Sequence, residues 1–510
     1  MAPAKGPAPT SLYKDLTASE TMRKCMITDK KYIPQQKLLE IVTVSKVKTA
    51  LRSRRSWLRL SLRHHGLNDK LLQARKLIAV LVIIGQLNED SLKSLASTAL
   101  TDNDLPLCAN GDRLQTHHKP KTVVFPKWEE ATVAAFLEKQ WIVLAPILDF
   151  KGKCPIEVEL DKECALEFSE CFAELPKNRV TVPDADAHSK GNGGNPYLVA
   201  IKKFKSAKSL HDYEHERDNL REIYGIDNNH LVKHLATRDQ IRCIIFPWAI
   251  HGDLKQFWED RSASARELPM FIWFIEQLAG LASALRELHK INCRHGDLKP
   301  SNIFYFSEKD TGVLKIADVG ISRVHQESTD QREKETVTTA STRAYEGPEA
   351  SQQTLAPRSR TYDCWSMGCI ILEFIIWLLY DQQALNSFRW SRDSTWNSYY
   401  RVKNLGPTSQ NRWWEGVERH PSTDKAIKLV LKDARVRGTA LQELVNLVDS
   451  KLLLINPKQR LLAADLAERL KGLLGRCKRG QTPWVHNNEV RPTVPPIFRQ
   501  ERPKAPDTTF

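Results

Sequence analysis

The ten cysteines include no CxxC pair, so neither a zinc-ribbon spacing nor a dithiol redox motif is present. They are scattered, and the N-terminal stretch has no apolar h-region of a secretory signal. A disulfide framework is therefore not expected, and an intracellular, cytoplasmic or nuclear, location is. No apolar run reaches the roughly 18–20 residues of a membrane span. The longest, 77–84 and 369–380, are shorter, and the second contains Glu373. No fixed-period repeat is visible.

What is present is an ordinary globular balance of 41% hydrophobic and 27% charged residues over 510 positions. That excludes a wholly disordered chain and leaves room for two to four domains of about 150 residues. The net charge of +15 is uneven, with 17 Lys/Arg against 5 Asp/Glu in residues 1–76. Such asymmetry suits RNA, an anionic surface or another acidic partner, but equally a solvated basic helix face. Aromatic interleaving is poor, with Trp57 alone among the basic residues 46–63, and no RNA-binding motif is found.

Residues 1–150 read as a basic, mostly helical accessory domain. Val44, Val47, Leu51, Leu58 and Leu62 keep helical spacing from Ile41 onward, opposite Lys46, Lys48, Arg52, Arg54, Arg55, Arg59 and Arg63. A second helix is expected over 69–84, with others over 88–100 and 128–140. Residues 181–196 form a polar loop rich in Gly, Asp and Pro. Beyond it come β-like runs at 197–204 and 241–246 and a long amphipathic helix through Phe271, Ile275, Leu278, Ala282 and Leu285. Residues 363–380 are apolar nearly all round, the pattern of a buried helix. The tail, 477–510, has six prolines and reads as an extended or disordered extension.

Four pieces then follow in one order: Val199-Ala200-Ile201-Lys202; His295-Gly296-Asp297-Leu298-Lys299-Pro300-Ser301-Asn302; Leu314-Lys315-Ile316-Ala317-Asp318-Val319-Gly320; and Tyr345-Glu346-Gly347-Pro348-Glu349, with Asp363-Cys364-Trp365-Ser366-Met367-Gly368 beyond. An aspartate, a lysine two on and an asparagine five on place a proton acceptor, a cation and a metal ligand on one loop. This order resembles the eukaryotic protein kinase family, and the Lys299-Pro300 pair resembles its serine/threonine type. Its texture is closest to kinase-like proteins of filamentous fungi with a helical N-terminal region. The fold class implied is α+β, a two-lobed kinase fold over about 172–476 with lobes of 172–249 and 250–476, preceded by the helical domain.

The resemblance implies ATP and Mg²⁺ as cofactors and a protein substrate. The short apolar runs, for their part, lead us to expect no membrane span. Asp297 accepts or orients the substrate hydroxyl proton, and Lys299 steadies the γ-phosphate. Asn302 and Asp318 hold Mg²⁺, which prefers hard oxygen ligands. Lys202 holds the nucleotide phosphates and is held by Glu216, for which Glu214 and Glu222 are alternatives. Phe246 falls at the gatekeeper and Trp248 in the hinge beside adenine. Thr342 bridges the catalytic aspartate and lysine. Asp363 belongs to the structural set, and Arg460 pairs with Glu349.

Three positions depart from the family's pattern. The Gly-rich flap is absent: only seven residues separate Gly194 from Lys202, too few for a strand, a turn and half a strand. Gly191, Gly193 and Gly194 therefore read as the turn between family strands 2 and 3, with Val180-Thr181-Val182 as strand 2. Gly296 replaces the arginine that usually receives an activation-loop phosphate, so Thr336, Thr338, Thr339 and Ser341 lack that receptor. Val319 replaces a phenylalanine under helix C. Two functions follow: an ATP-dependent serine/threonine protein kinase, or a pseudokinase or shortened kinase acting as a scaffold.

Overall fold

The computed structural model describes residues 10–25, 30–51, 66–98, 100–117, 121–145, 156–157, 165, 179–182, 197–204, 209–239, 242–261, 268–308, 311–319, 344–351, 359–392, 398–403, 416–486, 495 and 498. Contacts divide the chain into two units, Met1–Lys205 with Leu235–Trp248, and Ser206–His234 with Ala249–Phe510. The basic face at 52–65, Gly191, Gly193, Gly194, Thr336 to Thr342 and Gly320 lie outside the described residues.

In the first unit, helices α1 (Ser11–Thr17), α2 (Gln35–Ile41), α3 (Val44–Ala50), α4 (Leu67–Gln73), α5 (Arg75–Ile83), α6 (Glu89–Thr98) and α7 (Glu130–Lys139) precede the sheet. The core runs through α5, whose Leu77 to Val82 are all buried. A helix apolar on every side must be covered on every side. The expected single helix over 69–84 is two helices broken at Ala74. The cause is distant in sequence: the Asp102 carboxylate accepts the Lys76 and Leu77 amides at 2.9–3.1 Å, starting a fresh helix there. The helix expected from Ile41 likewise begins only at Val44, because the Thr43 hydroxyl caps the Lys46 amide.

The region is also less purely helical than the sequence suggests. It carries a hairpin of β1 (Arg23–Lys24) and β2 (Lys31–Tyr32). A three-stranded sheet of β3 (Cys108–Asn110), β4 (Arg113–Gln115) and β5 (Val123–Val124) follows. Strands of two or three residues leave no readable alternation.

A five-stranded sheet completes this unit. Its order is β6 (Ile156–Glu157), β9 (Ala236–Arg238), β10 (Cys243–Pro247), β8 (Tyr197–Lys203), β7 (Arg179–Val182). β7 pairs antiparallel with β8, Val182 opposite Tyr197. The segment read as family strand 2 is thus a neighbour of the lysine strand. Among the described residues, β7 is an edge.

The second unit is built around α11 (Thr361–Leu379), every residue of which is buried. It is long and apolar enough to cross a membrane, yet its apolar window lies wholly inside the protein. The unit also holds α8 (Ser209–Tyr224), α9 (Leu254–Asp260), α10 (Leu268–Lys290), α12 (Gln382–Ser391), α13 (Pro421–Lys432), α14 (Ala440–Leu447) and α15 (Ala463–Lys478). Two hairpins are added: β11 (Ile303–Glu308) with β12 (Thr311–Ile316), and β13 (Tyr400–Val402) with β14 (Val417–Arg419). The Pro-rich tail is not simply an extension. The Ala440 amide bonds Pro483 O at 2.9 Å. Trp484 and Val485 pack on the core, and Phe498 is fully buried in it.

Candidate active site

The catalytic-loop residues sit where helix α10 hands over to the β11–β12 hairpin. Pairing of Ile303 with Ile316 places Asn302 just before the hairpin and Ala317 just after it. The Ala317 amide then bonds Asn302 O at 2.9 Å. This register brings the chain at Asn302 and the chain at Asp318 to one end of the hairpin.

Lys299 Nζ donates to Asp297 Oδ2 at 2.8 Å. Asn302 Nδ2 donates to Asp297 O at 2.8 Å and to its Oδ2 at 3.3 Å. The amide nitrogen is therefore spent within the loop, and Oδ1 is the atom Asn302 has to offer a cation. The Asp297 side chain is 18% exposed, open enough to meet a substrate. His295, fully buried, accepts the Asp297 amide at Nδ1 (3.2 Å) and donates from Nε2 to Ala317 O (2.8 Å). One neutral tautomer satisfies both contacts and ties the loop to the strand leading to Asp318.

Asp318 has φ of 55°, in the left-handed region. Such a conformation is costly for a side-chain-bearing residue and concentrates at functional sites. Next to it Val319 is buried, in the cluster that also holds Ile223 at the end of α8.

The loop backbone is held from below by α11. Asp363, with no exposure, accepts the amides of His295 and Gly296 and the ring Nε2–H of His289, each at 2.9 Å. Burial pushes the Asp363 carboxyl up, but the His289 hydrogen bond, the His289 and His295 rings and the Gly296 amide outweigh it and hold it below its usual range. Gly296 has φ of 78°, which suits a residue without Cβ.

Glu216 is buried on α8, whereas Glu214 and Glu222 are exposed. Lys202 and Glu216 fall in different units, and each is placed within its own. In the first unit, Lys202 lies opposite Ile244 and Ala200 opposite Phe246, so these four residues share one sheet face. Phe246 and Trp248 are both half-buried. Thr342 lies outside the described residues.

The sequence does not reveal a second constellation in the larger unit. Glu373, three turns along α11 and fully buried, stands in the sequence only as a charge inside an apolar run. It accepts from Tyr345 Oη (2.8 Å), Arg389 Nη2 (2.6 Å), Arg392 Nη2 (3.2 Å) and Tyr399 Oη (2.9 Å). Burial would raise its carboxyl, but the two guanidiniums pull it down to about 2. Tyr345 is four residues from Glu349, so the charge on α11 reaches the chain at the PE motif.

Among the described residues no group of three or more His, Cys, Asp and Glu is placed to hold a metal alone. Mg²⁺ takes only one or two protein ligands and otherwise keeps waters and phosphate oxygens. Asn302 and Asp318 offer oxygen donors of the right hardness.

Comparison with known proteins places the chain in a family. Residues 192–469, more than half of the chain, match the protein kinase domain family. The chain is 30% identical over 214 residues to a probable serine/threonine-protein kinase KIN28 homolog of Encephalitozoon cuniculi, covering 40% of this chain and 60% of that one. It is 31% identical over 191 residues to a probable cyclin-dependent kinase 8 of Dictyostelium discoideum, covering 35% and 47%. With cyclin-dependent kinase 11.2 of Caenorhabditis elegans the identity is 28% over 200 residues, covering 37% and 27%. The chain thus spans less than two thirds of each of these relatives. With its loop, hairpin and core helix arranged around Asp297, the chain belongs to the protein kinase family.

Proposed function

We propose that this chain transfers the γ-phosphate of ATP to serine or threonine hydroxyls of proteins. The observation that carries the reading is the Asp297–Lys299 contact at 2.8 Å with Asn302 on the same aspartate. A carboxylate so placed orients a hydroxyl and takes its proton, while the lysine faces the charge that develops on the transferred group. Asn302 and Asp318 would hold Mg²⁺, whose charge offsets that of the phosphates. Lys202, by resemblance, takes phosphate oxygens, and Phe246 and Trp248 border the adenine. The relatives' names support the serine/threonine type.

The scaffold reading predicts a folded chain that binds no Mg²⁺–nucleotide. A thermal-shift titration with ATP, with and without Mg²⁺, separates the two, because a ligand of the folded state must raise its stability. We expect a Mg²⁺-dependent rise that Asp318→Asn abolishes. Radiolabelled phosphate transfer to a mixed peptide library, lost in Asp297→Ala, completes the test. No shift at millimolar ATP would sink the proposal.

A further inference from the structure

Phe498 is fully buried although it lies among prolines twenty residues beyond α15, which ends at Lys478 and is the last α-helix among the described residues. Its ring sits 5.0 Å from that of Tyr380 and 6.3 Å, edge-on, from that of Phe388. Its amide bonds Pro495 O at 2.8 Å. Tyr380 is itself fixed, with Oη 2.8 Å from Asp433 Oδ2.

The contact does not stop at Phe388. The Arg392 guanidinium lies over the Phe388 ring at 4.3 Å and over the Tyr399 ring at 3.9 Å. Arg392 and Tyr399 both hold Glu373, at 3.2 and 2.9 Å, and Glu373 accepts the Tyr345 hydroxyl at 2.8 Å. Ser366 Oγ also donates to Tyr345 O at 2.9 Å. Every link is buried or nearly so. A shift of Phe388 therefore has no slack in which to be absorbed, since packed interiors transmit displacement.

We propose that Phe498 is a positioning residue: through Phe388 and Arg392 it fixes the Glu373 carboxylate and so the placement of Tyr345 and the segment 344–351 that leads to Glu349. This rests on the kinase reading only for its catalytic consequence. Seating of the tail then sets how well the chain holds a protein substrate, while leaving nucleotide binding alone. The occupant of the aromatic socket is this chain's own C-terminal segment.

The test uses the full chain with Phe498→Ala and Phe498→Leu, read in two ways. Hydrogen–deuterium exchange is followed over 344–351, with 268–290 as an internal control for folding. We expect faster exchange over 344–351 in both variants, the leucine effect being the smaller, with the control helix unchanged. Steady-state kinetics with the best peptide substrate should show KM for peptide raised about 5-fold or more, the lower end of a typical coupling, and KM for ATP unchanged. Unchanged exchange over 344–351 in a folded variant overturns the inference and leaves Phe498 a plain anchor. If Phe498→Ala does not fold, Phe498→Leu decides on the same criterion. If the unaltered chain transfers no phosphate, the kinase reading fails, while the exchange result still decides the positioning role.

Discussion

Arg460 holds Glu349 with both terminal guanidinium nitrogens, each at 2.8 Å, although 111 residues separate the two. The Arg460 side chain is fully buried and that of Glu349 is 9% exposed. A forked donor matches a carboxylate in a way that an ammonium cannot. Arg460→Lys is therefore expected to destabilise despite keeping the charge. Arg460→Ala, which strands the carboxylate, should lose about 3–5 kcal/mol. Urea unfolding of both variants measures this, and an alanine variant as stable as the unaltered chain would refute it.

Asp363 carries three hydrogen bonds from residues 67–74 positions earlier in the chain, two of them from loop amides. Asp363→Asn keeps the shape but turns one acceptor into a donor, so at least one buried N–H loses its partner. We expect a loss of about 1–3 kcal/mol and a fall in phosphate transfer larger than the fall in ATP binding. Thermal melting and a peptide-phosphorylation assay check the two halves.

Glu373 has a pH signature. Its carboxyl is lowered from 4.5 to about 2 in the folded chain, so the folded state binds this proton less readily than the unfolded one. Its contribution to stability is complete above about pH 4.5 and is lost as pH falls toward 2. Glu373→Gln should flatten the melting-temperature profile across that window. It should also lower stability at neutral pH by about 3–5 kcal/mol, because Arg389 and Arg392 lose their counter-charge. A variant with the same acid slope as the parent would show the ion pair to be idle.

Gly280 lies on α10 against the His230 ring, where an added Cβ would come 1.9 Å from Nε2. His230 is not free to retreat, since Nδ1 is 2.8 Å from Leu314 O. Gly280→Ala, ordinarily favourable in a helix, is expected here to cost about 1–3 kcal/mol through overpacking. Denaturant unfolding beside Gly472→Ala, whose added Cβ meets nothing closer than 3.9 Å, gives the comparison.

The sequence discloses contacts that are close along the chain and hides those that are not. Asp297, Lys299 and Asn302 fall within six positions, so the loop reads as one chemical unit from its residues alone. The long helices over 268–290 and 361–379 announce themselves, the first by its period and the second by apolarity that only a few polar residues interrupt. The break at Ala74 is different in kind. Local propensity favours one helix there, and a carboxylate 28 residues away decides otherwise. The Glu373 cluster is equally silent, because Arg389, Arg392 and Tyr399 carry no motif and become partners only when α12 and the chain that follows it pack on α11. Phe498 is the extreme case, a lone aromatic with no periodic neighbours in the sequence.

The burial of Phe498 bears on where this protein can be cut. The family signature ends at residue 469, and a fragment trimmed there would lose the final turns of α15, the Pro483 and Trp484 contacts and the ring that covers Tyr380 and Phe388. At the other end, the lysine strand falls in the same compact unit as the N-terminal helices. A piece cut to the stretch that identifies the family would therefore give up native contacts made beyond its borders, and its stability is expected to fall below that of the full chain. A fragment ending at 469 would uncover the Tyr380 and Phe388 rings and is expected to be prone to aggregate.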